Sequence, residues 1–319
     1  MKPNKMITRP CRTGARQAAA AARSQPTAAI AAAARSRPRT IAAATRLGPR
    51  AAVAAAAAAS VASFVLHAAP ADAATTHNWI QNAQTESVLD TSHPATAKYF
   101  FNRAGSYGTG SSTSSNPITD GFKTTRVLRF TSYAQFRSDI TKGIIPDKTW
   151  PAGSWVEYDN EQWSQTPVAE QRNPGLYMQD FGSLAHQHGF KVFMTPARDL
   201  GNVDTACPKK SGWSNDQWYE KCHIARYAVV DGNGVVIQSQ ADTTSLSAFK
   251  TLVNDGKADA HAANPSAFVD AELSSTYGTP GQAYAAGSSV VVSGYFINSS
   301  NAKVSWENSL LSEFKTNGY

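Results

Sequence analysis

From Ala74 to the C-terminus, short apolar runs alternate with longer amphipathic ones. That alternation narrows the choice of fold more than any other feature, because it marks buried parallel strands covered by helices. Seven runs read as strands: Tyr99–Arg103, Arg126–Ser132, Trp155–Glu161, Lys191–Ala197, Val235–Gln240, Ala267–Ser274 and Ser293–Asn298. Between the third and fourth lies a fully punctuated helix, with Asn173 as N-cap, Pro174 at its first position and Gly189 just past its end. Its apolar stripe is Tyr177, Phe181 and Leu184. Further helices are expected over Tyr133 to Lys142, Gln217 to Ala228, Ser245 to Asp255, Pro280 to Ser288 and Asn301 to Lys315. The Ser/Gly-rich stretch Gly105–Asn116 reads as a loop. No repeat of solenoid length is present.

Residues 74–319 suit one α/β domain, a single (β/α)8-like TIM barrel, which usually takes roughly 250 residues. Seven strands are clear, so an eighth remains to be located. The rival is an open doubly wound sheet, which demands a glycine-rich turn after its first strand. Arg103 to Gly108 carries only two of those glycines and no helix pattern follows it.

The formal charge of +7 misleads, because it is unevenly spread. Residues 1–73 hold eleven of the 30 Lys and Arg but only one of the 23 Asp and Glu, leaving 19 against 22 in the rest. With no basic cluster on the part that folds, a nucleic-acid partner is not expected. All seven Trp and all eleven Tyr lie beyond residue 74.

Residues 1–73 read as a long Arg/Ala-rich export signal that is removed from the mature chain. A basic front end to Arg50 precedes an uncharged run, Ala51 to Leu66, and a small-residue cleavage pattern at Ala71-Asp72-Ala73. The run is short and weak beside the roughly 20 apolar residues of a spanning helix, so secretion without a stable membrane anchor is expected. A membrane tether or a basic arm is the alternative. No adjacent Arg pair supports a twin-arginine route. Cys11 departs with the leader, and Cys207 and Cys222 are left to form a disulfide. Closing a loop of about 16 residues contributes roughly 3 kcal/mol in the chain-entropy model. Two thiols beside His223 do not complete a four-ligand metal set.

The densest chemical signal is Ser154 to Trp163, SWVEYDNEQW. Side chains alternate along a strand, so Glu157, Asp159 and Glu161 share one face while Val156 and Tyr158 take the other. Packing Val156 and Tyr158 under helices sends the three acids toward the barrel axis and its C-terminal mouth, where active sites of this fold form. Crowded, buried carboxylates raise one another's pKa, which is how a general acid is made. Arg129 on the neighbouring strand could neutralise one acid and give a purely structural ion pair, but three acids in five residues exceed one arginine.

Ser154 to Glu161 resembles the Asp-x-x-Asp-x-Asp-x-Glu strand motif of chitinase-type (family 18) glycoside hydrolases, with Asp159 and Glu161 at the last two acidic positions. Ser154 and Glu157 replace the first two. The resemblance implies that Glu161 protonates the glycosidic oxygen and that Asp159 orients the substrate. Val156, Glu157, Asp159 and Asn160 are similar to the Val-Glu-x-Asp-Asn element of secreted endo-α-1,4-polygalactosaminidases, and Leu184 to Val192 is similar to the next helix end and strand there. Both resemblances imply glycosidic bond hydrolysis on a barrel.

Other strand ends offer helpers. Gln238 and Gln240 share a strand face where amides can bind sugar hydroxyls, or they form a buried amide network. Glu272, sharing its face with Asp270, is a candidate second carboxylate or a salt-bridge partner. Arg198 and Asp199 end the fourth strand, either to touch substrate or to pair with each other. Tyr295 and Asn298 end the seventh. Trp163, Trp213 and Trp218 could stack on pyranose rings or pack loops. His186 and His188 fall at the wrong end of their βα unit for catalysis and read as structural. No nucleophilic Ser elbow, phosphate-binding glycine loop or His-rich metal spacing occurs in the mature chain.

The expectation is a secreted, monomeric glycoside hydrolase acting on an extracellular polysaccharide or oligosaccharide, with Glu161 as general acid/base, Asp159 as its partner and Glu157 tuning both. No cofactor or metal is expected. The alternatives are a non-catalytic glycan-binding protein on a decayed barrel, and a phosphodiesterase holding a metal on Glu157 and Asp159.

Overall fold

The computed structural model describes residues 77–111 and 124–319. The leader, its expected cleavage after Ala73, and residues 112–116 of the expected loop lie outside the described residues. In chain order the elements begin with β1 (Asn78–Asn82), α1 (Ala83–Ser92), α2 (Pro94–Phe101), β2 (Ser106–Ser111), β3 (Thr125–Phe130) and α3 (Tyr133–Thr141). They continue with β4 (Trp155–Tyr158), α4 (Val168–Gln171), α5 (Pro174–Gln187), β5 (Lys191–Met194), α6 (Asn215–Lys221) and α7 (Ile224–Val230). The last are β6 (Gly234–Ile237), α8 (Leu246–Ala263), β7 (Phe268–Ser274), α9 (Pro280–Gly287), β8 (Gly294–Asn298) and α10 (Val304–Thr316). Each strand pairs in parallel with the next, and β8 closes on β1 to complete an eight-stranded barrel. The TIM barrel is therefore the fold, and the open doubly wound sheet is excluded.

Two of the eight strands escaped the sequence pattern. The run Tyr99–Arg103 is not a strand: Tyr99 to Phe101 form the last turn of α2, which Pro94 starts and which buries Ala97, Phe100 and Phe101, and Asn102 and Arg103 follow its end. The strands on either side are β1, NWIQN, and β2, SYGTGS. β2 carries two glycines, and all six of its residues fall within the segment read as a loop. Pairing on both flanks, with Tyr107 opposite Ile80 of β1 and Thr125 of β3, makes it a strand despite poor intrinsic preference. The expected helix from Gln217 to Ala228 is also two helices. It breaks at His223, whose φ of 55° is left-handed, immediately after Cys222 is tied back to Cys207.

The α5 signals work as read. The Asn173 side chain accepts from the Leu176 N–H, Pro174 opens the helix, and Gly189 takes φ 77° just beyond it. Its deepest residues are Met178, Phe181 and Ala185, with Tyr177 and Leu184 flanking them half-buried.

Strand parity divides the core in two. Leu128, Phe130, Val156, Tyr158, Val192, Met194, Val235 and Ile237 face outward and pack under the helices. Ile80, Val127, Phe193, Val236 and Phe296 face inward, with Tyr107, Trp155 and Phe268 closing the lower barrel beneath the mouth. A buried carboxylate fastens the outer layer near β4. Glu170 accepts from the Tyr158 hydroxyl at 2.8 Å, the Tyr133 and Ala134 N–H groups at 2.8 and 3.0 Å, and the Ser132 hydroxyl at 3.2 Å.

Candidate active site

β4 ends at Tyr158, but ladder bonds continue beyond it. Phe130 O accepts from Asp159 N at 2.8 Å, and Asn160 O accepts from Ala197 N at 2.9 Å. The extended chain keeps its alternation, so Glu157 and Asp159 follow Trp155 into the barrel and Glu161 reaches the rim. They line a hollow of about 340 Å³ with Arg129, Thr195, Trp163 and Glu272. Four carboxyls from two strand ends thus converge at the C-terminal mouth.

Among the described residues, one cation faces them. Arg129, opposite Glu157 in the β3–β4 register, places Nη1 3.5 Å from Asp159 Oδ2. The Thr195 hydroxyl lies 3.2 Å from both Glu157 Oε1 and Asp159 Oδ1. A hydroxyl has one proton to donate, so both contacts are hydrogen bonds only when one carboxyl is protonated and donates in turn. Gln238 Nε2 donates to Glu161 Oε1 at 3.1 Å and to Thr195 O at 2.9 Å. Asn298 Nδ2 donates to Glu272 Oε1 at 2.6 Å.

Desolvation dominates the protonation of all four. Burial pushes Glu157 up to about 7 against the pull of the Arg129 charge and the Thr195 hydroxyl. Burial and then the Glu157 charge bring Asp159 to about 7, with Arg129 opposing. Glu161 reaches about 7 through burial and the Asp159 charge, with the Gln238 amide pulling the other way. Glu272 rises to about 8, chiefly by burial and against its Asn298 hydrogen bond. Groups that interact this strongly titrate as a set, not one by one. Near neutral pH the set holds both protonated and ionised carboxyls, which is the requirement for general acid/base work.

The helpers separate on placement. Trp163 edges the carboxylate hollow, its indole N–H donating to Thr166 Oγ1 at 2.7 Å. Arg198 and Asp199 do not pair with each other. The Arg198 guanidinium is held by Asp216 and by Asp242, the latter at 2.6 Å, while Asp199 Oδ1 accepts from Gln162 N at 3.2 Å. Gln240 is not on a strand: β6 ends at Ile237, and Gln240 opens a 3₁₀ turn, Gln240–Asp242.

Tyr295 corrects the sequence reading most plainly. It faces outward from β8, fully buried between the barrel and α10, with its hydroxyl donating to Gly287 O at 3.0 Å and its ring 4.8 Å from Phe314. It cannot touch a substrate at the mouth. Trp218 is likewise internal, packed against Gly201 and donating to Cys207 O at 2.9 Å, while Trp213 sits under Lys210 and Lys221. His186 pairs with Asn233 at 3.2 Å, at the end of the unit remote from the mouth. Cys207 and Cys222 form the expected disulfide.

Asn82 of β1 and the neighbouring Ser299 also line the carboxylate hollow. The sequence reading missed Asn82 because it missed β1. Asp216, Asp242 and Tyr277 come from loops and helix starts whose side chains carry no strand pattern to point them inward. Among the described residues, no three His, Cys, Asp or Glu side chains are grouped to hold a metal ion.

A (β/α)8 barrel with an acid-crowded mouth is the class that fold and site define. No family model and no curated protein matches the sequence. Among solved structures the chain is similar to bee venom hyaluronidase, at 12% identity over 76% of this chain and 97% of that one, TM-score 0.44. The same enzyme in complex with a hyaluronic acid tetramer matches at 11% identity over 57% of this chain and 71% of that one, TM-score 0.35. A putative phosphonomutase from Burkholderia cenocepacia matches at 11% identity over 77% and 94%, TM-score 0.37.

Proposed function

We propose that this chain is a secreted glycoside hydrolase that cleaves a polysaccharide by carboxylate acid/base catalysis. The observation that carries the reading is the convergence of Glu157, Asp159, Glu161 and Glu272 in one solvent-reachable hollow facing, among the described residues, a single arginine. Glu161, at the rim and free to meet a glycosidic oxygen, is the general acid/base. Asp159, paired with Arg129, is the ionised partner, and Glu157 beneath them tunes the set by raising the proton affinity of Asp159. Glu272 is the second carboxylate from across the mouth. The acidic lining disfavours polyanionic chains, so the substrate is a glycan without uronic acids.

Export is supported by the leader pattern and by the disulfide, which persists in oxidising compartments. Among the described residues no helix is long and apolar enough to cross a membrane. The phosphodiesterase alternative gains no observation in its favour. The test is incubation of residues 74–319 with a panel of bacterial, fungal and plant glycans, with the Glu161→Gln variant alongside. New reducing ends with the wild type and not with the variant support the reading. Glycan binding without cleavage would instead make this a lectin on a barrel.

A further inference from the structure

A second hollow of about 610 Å³ adjoins the carboxylate hollow, and Glu161, Gln238 and Asn298 line both. Its size falls within the range of roughly 300–1,000 Å³ usual for small-ligand sites. Its walls include three segments at the mouth. Asn215 and Asp216 stand at the start of α6, Gln240 and Asp242 on the turn after β6, and Thr276 and Tyr277 after β7.

Three properties limit what can lie there. Among the described residues Arg198 is the cation in this wall and is already spent between Asp216 and Asp242, so an anionic group finds no free positive charge on them. Beside the carboxyls of Glu161 and Asp199, amides and hydroxyls of Asn215, Gln238, Gln240, Asn298, Ser274 and Thr276 make up the other polar lining, and Gln240 Oε1 has no hydrogen-bond partner. Tyr277 is the large aromatic of the lining and is 46% exposed, with no ring stacked on it among the described residues. Uncharged hydroxyl-matching groups beside one open aromatic face suit a pyranose ring.

We propose that this second hollow is a sugar-binding subsite, in which Tyr277 stacks on a carboxylate-free pyranose unit while Gln240 and Asn215 bind its hydroxyls. The proposal rests on the glycosidase reading and deepens it. Because Glu161 stands between the hollows, a chain occupying both presents an internal bond to it, and binding energy is gathered on both sides of that bond. The wall is pre-formed: α6 is tied down by Cys207–Cys222, and Trp218 packs against Gly201 beneath it.

The experiment compares wild type, Tyr277→Ala and Tyr277→Trp on oligosaccharides of graded length prepared from chitin, galactosaminan, α- and β-glucans and a uronate-containing pectin. Binding to the same series is measured by calorimetry in the Glu161→Gln background. Tyr277→Ala is expected to raise KM about tenfold on the longer chains, the scale of losing an aromatic anchor. The loss falls on KM more than on kcat, and Tyr277→Trp restores most of it. An unchanged KM in Tyr277→Ala, with wild-type turnover intact, overturns the subsite and leaves the glycosidase reading standing. Binding without cleavage overturns the glycosidase reading, and the Tyr277→Ala affinity then decides the subsite. A wild type that neither binds nor cleaves any member of the series, or that prefers the uronate chain, overturns the subsite.

Discussion

Glu170 and the mouth carboxyls are all acids on or near β4, yet they live in opposite surroundings. Glu170, outside the barrel, meets four donors, two of them backbone N–H groups at the start of α3. Glu157, inside, finds one hydroxyl that it shares with Asp159, and its Oε2 has no hydrogen-bond partner. Burial is common to both, so burial alone does not mark a site. The supply of donors does: a fully donated carboxylate is a fastener, whereas a crowded and under-donated one is held ready to take a proton.

The sharpest break between the two regions is functional. Glu161→Gln keeps shape and removes the proton donor, so turnover of the cleaved glycan should fall at least about 10²-fold, read as reducing ends, with an unchanged melting temperature. Glu170→Ala should do the reverse. It strands the Tyr158 hydroxyl and the α3 N–H groups, and should cost roughly 3 kcal/mol of stability in a denaturant titration. A stable Glu170→Ala protein would undo the contrast.

The pH response follows from sign. Glu157, Asp159 and Glu161 at about 7 and Glu272 at about 8 lie above their unfolded values. The fold therefore keeps protons that the unfolded chain has released, and the stability these groups confer declines as pH climbs from about 4 to about 8. Melting should occur about 5 °C or more higher at pH 5 than at pH 8, and Glu272→Gln should flatten the slope. A slope of opposite sign would remove the unpaired-carboxyl picture. The smallest effect is that of Thr195→Val. Losing the shared hydroxyl removes a pull that lowers both Glu157 and Asp159, so the limbs of the pH–rate profile should move upward by less than about one unit.

The legible part of the site was the part written locally. The order of Glu157, Tyr158, Asp159, Asn160 and Glu161 places three acids on one face for any strand with this sequence. Arg129 could be named as their partner because β3 and β4 are consecutive. Tyr295 was misplaced because its parity could be set only by knowing where β8 sits. It is one residue off from Phe296 and Gly294, which face inward, and a shift of one residue changes the face. The end of α2 reads as a strand in the sequence because a run opening on three aromatics, Tyr99 to Phe101, fits a strand or a buried helical turn equally well.

By itself, then, the chain determined its βα alternation, the α5 boundaries, the disulfide partners and the acid-bearing face of β4, since each depends on neighbours within a few residues or on there being two cysteines beyond residue 73. Only the tertiary structure decided that NWIQN and SYGTGS are strands, that Glu272 and Asn298 join the acids from the far side, and that Arg198 is held between Asp216 and Asp242. Those outcomes come from closing the barrel, which brings side chains more than a hundred residues apart within hydrogen-bonding distance, as for Gln81 and Glu307. No local periodicity encodes that closure.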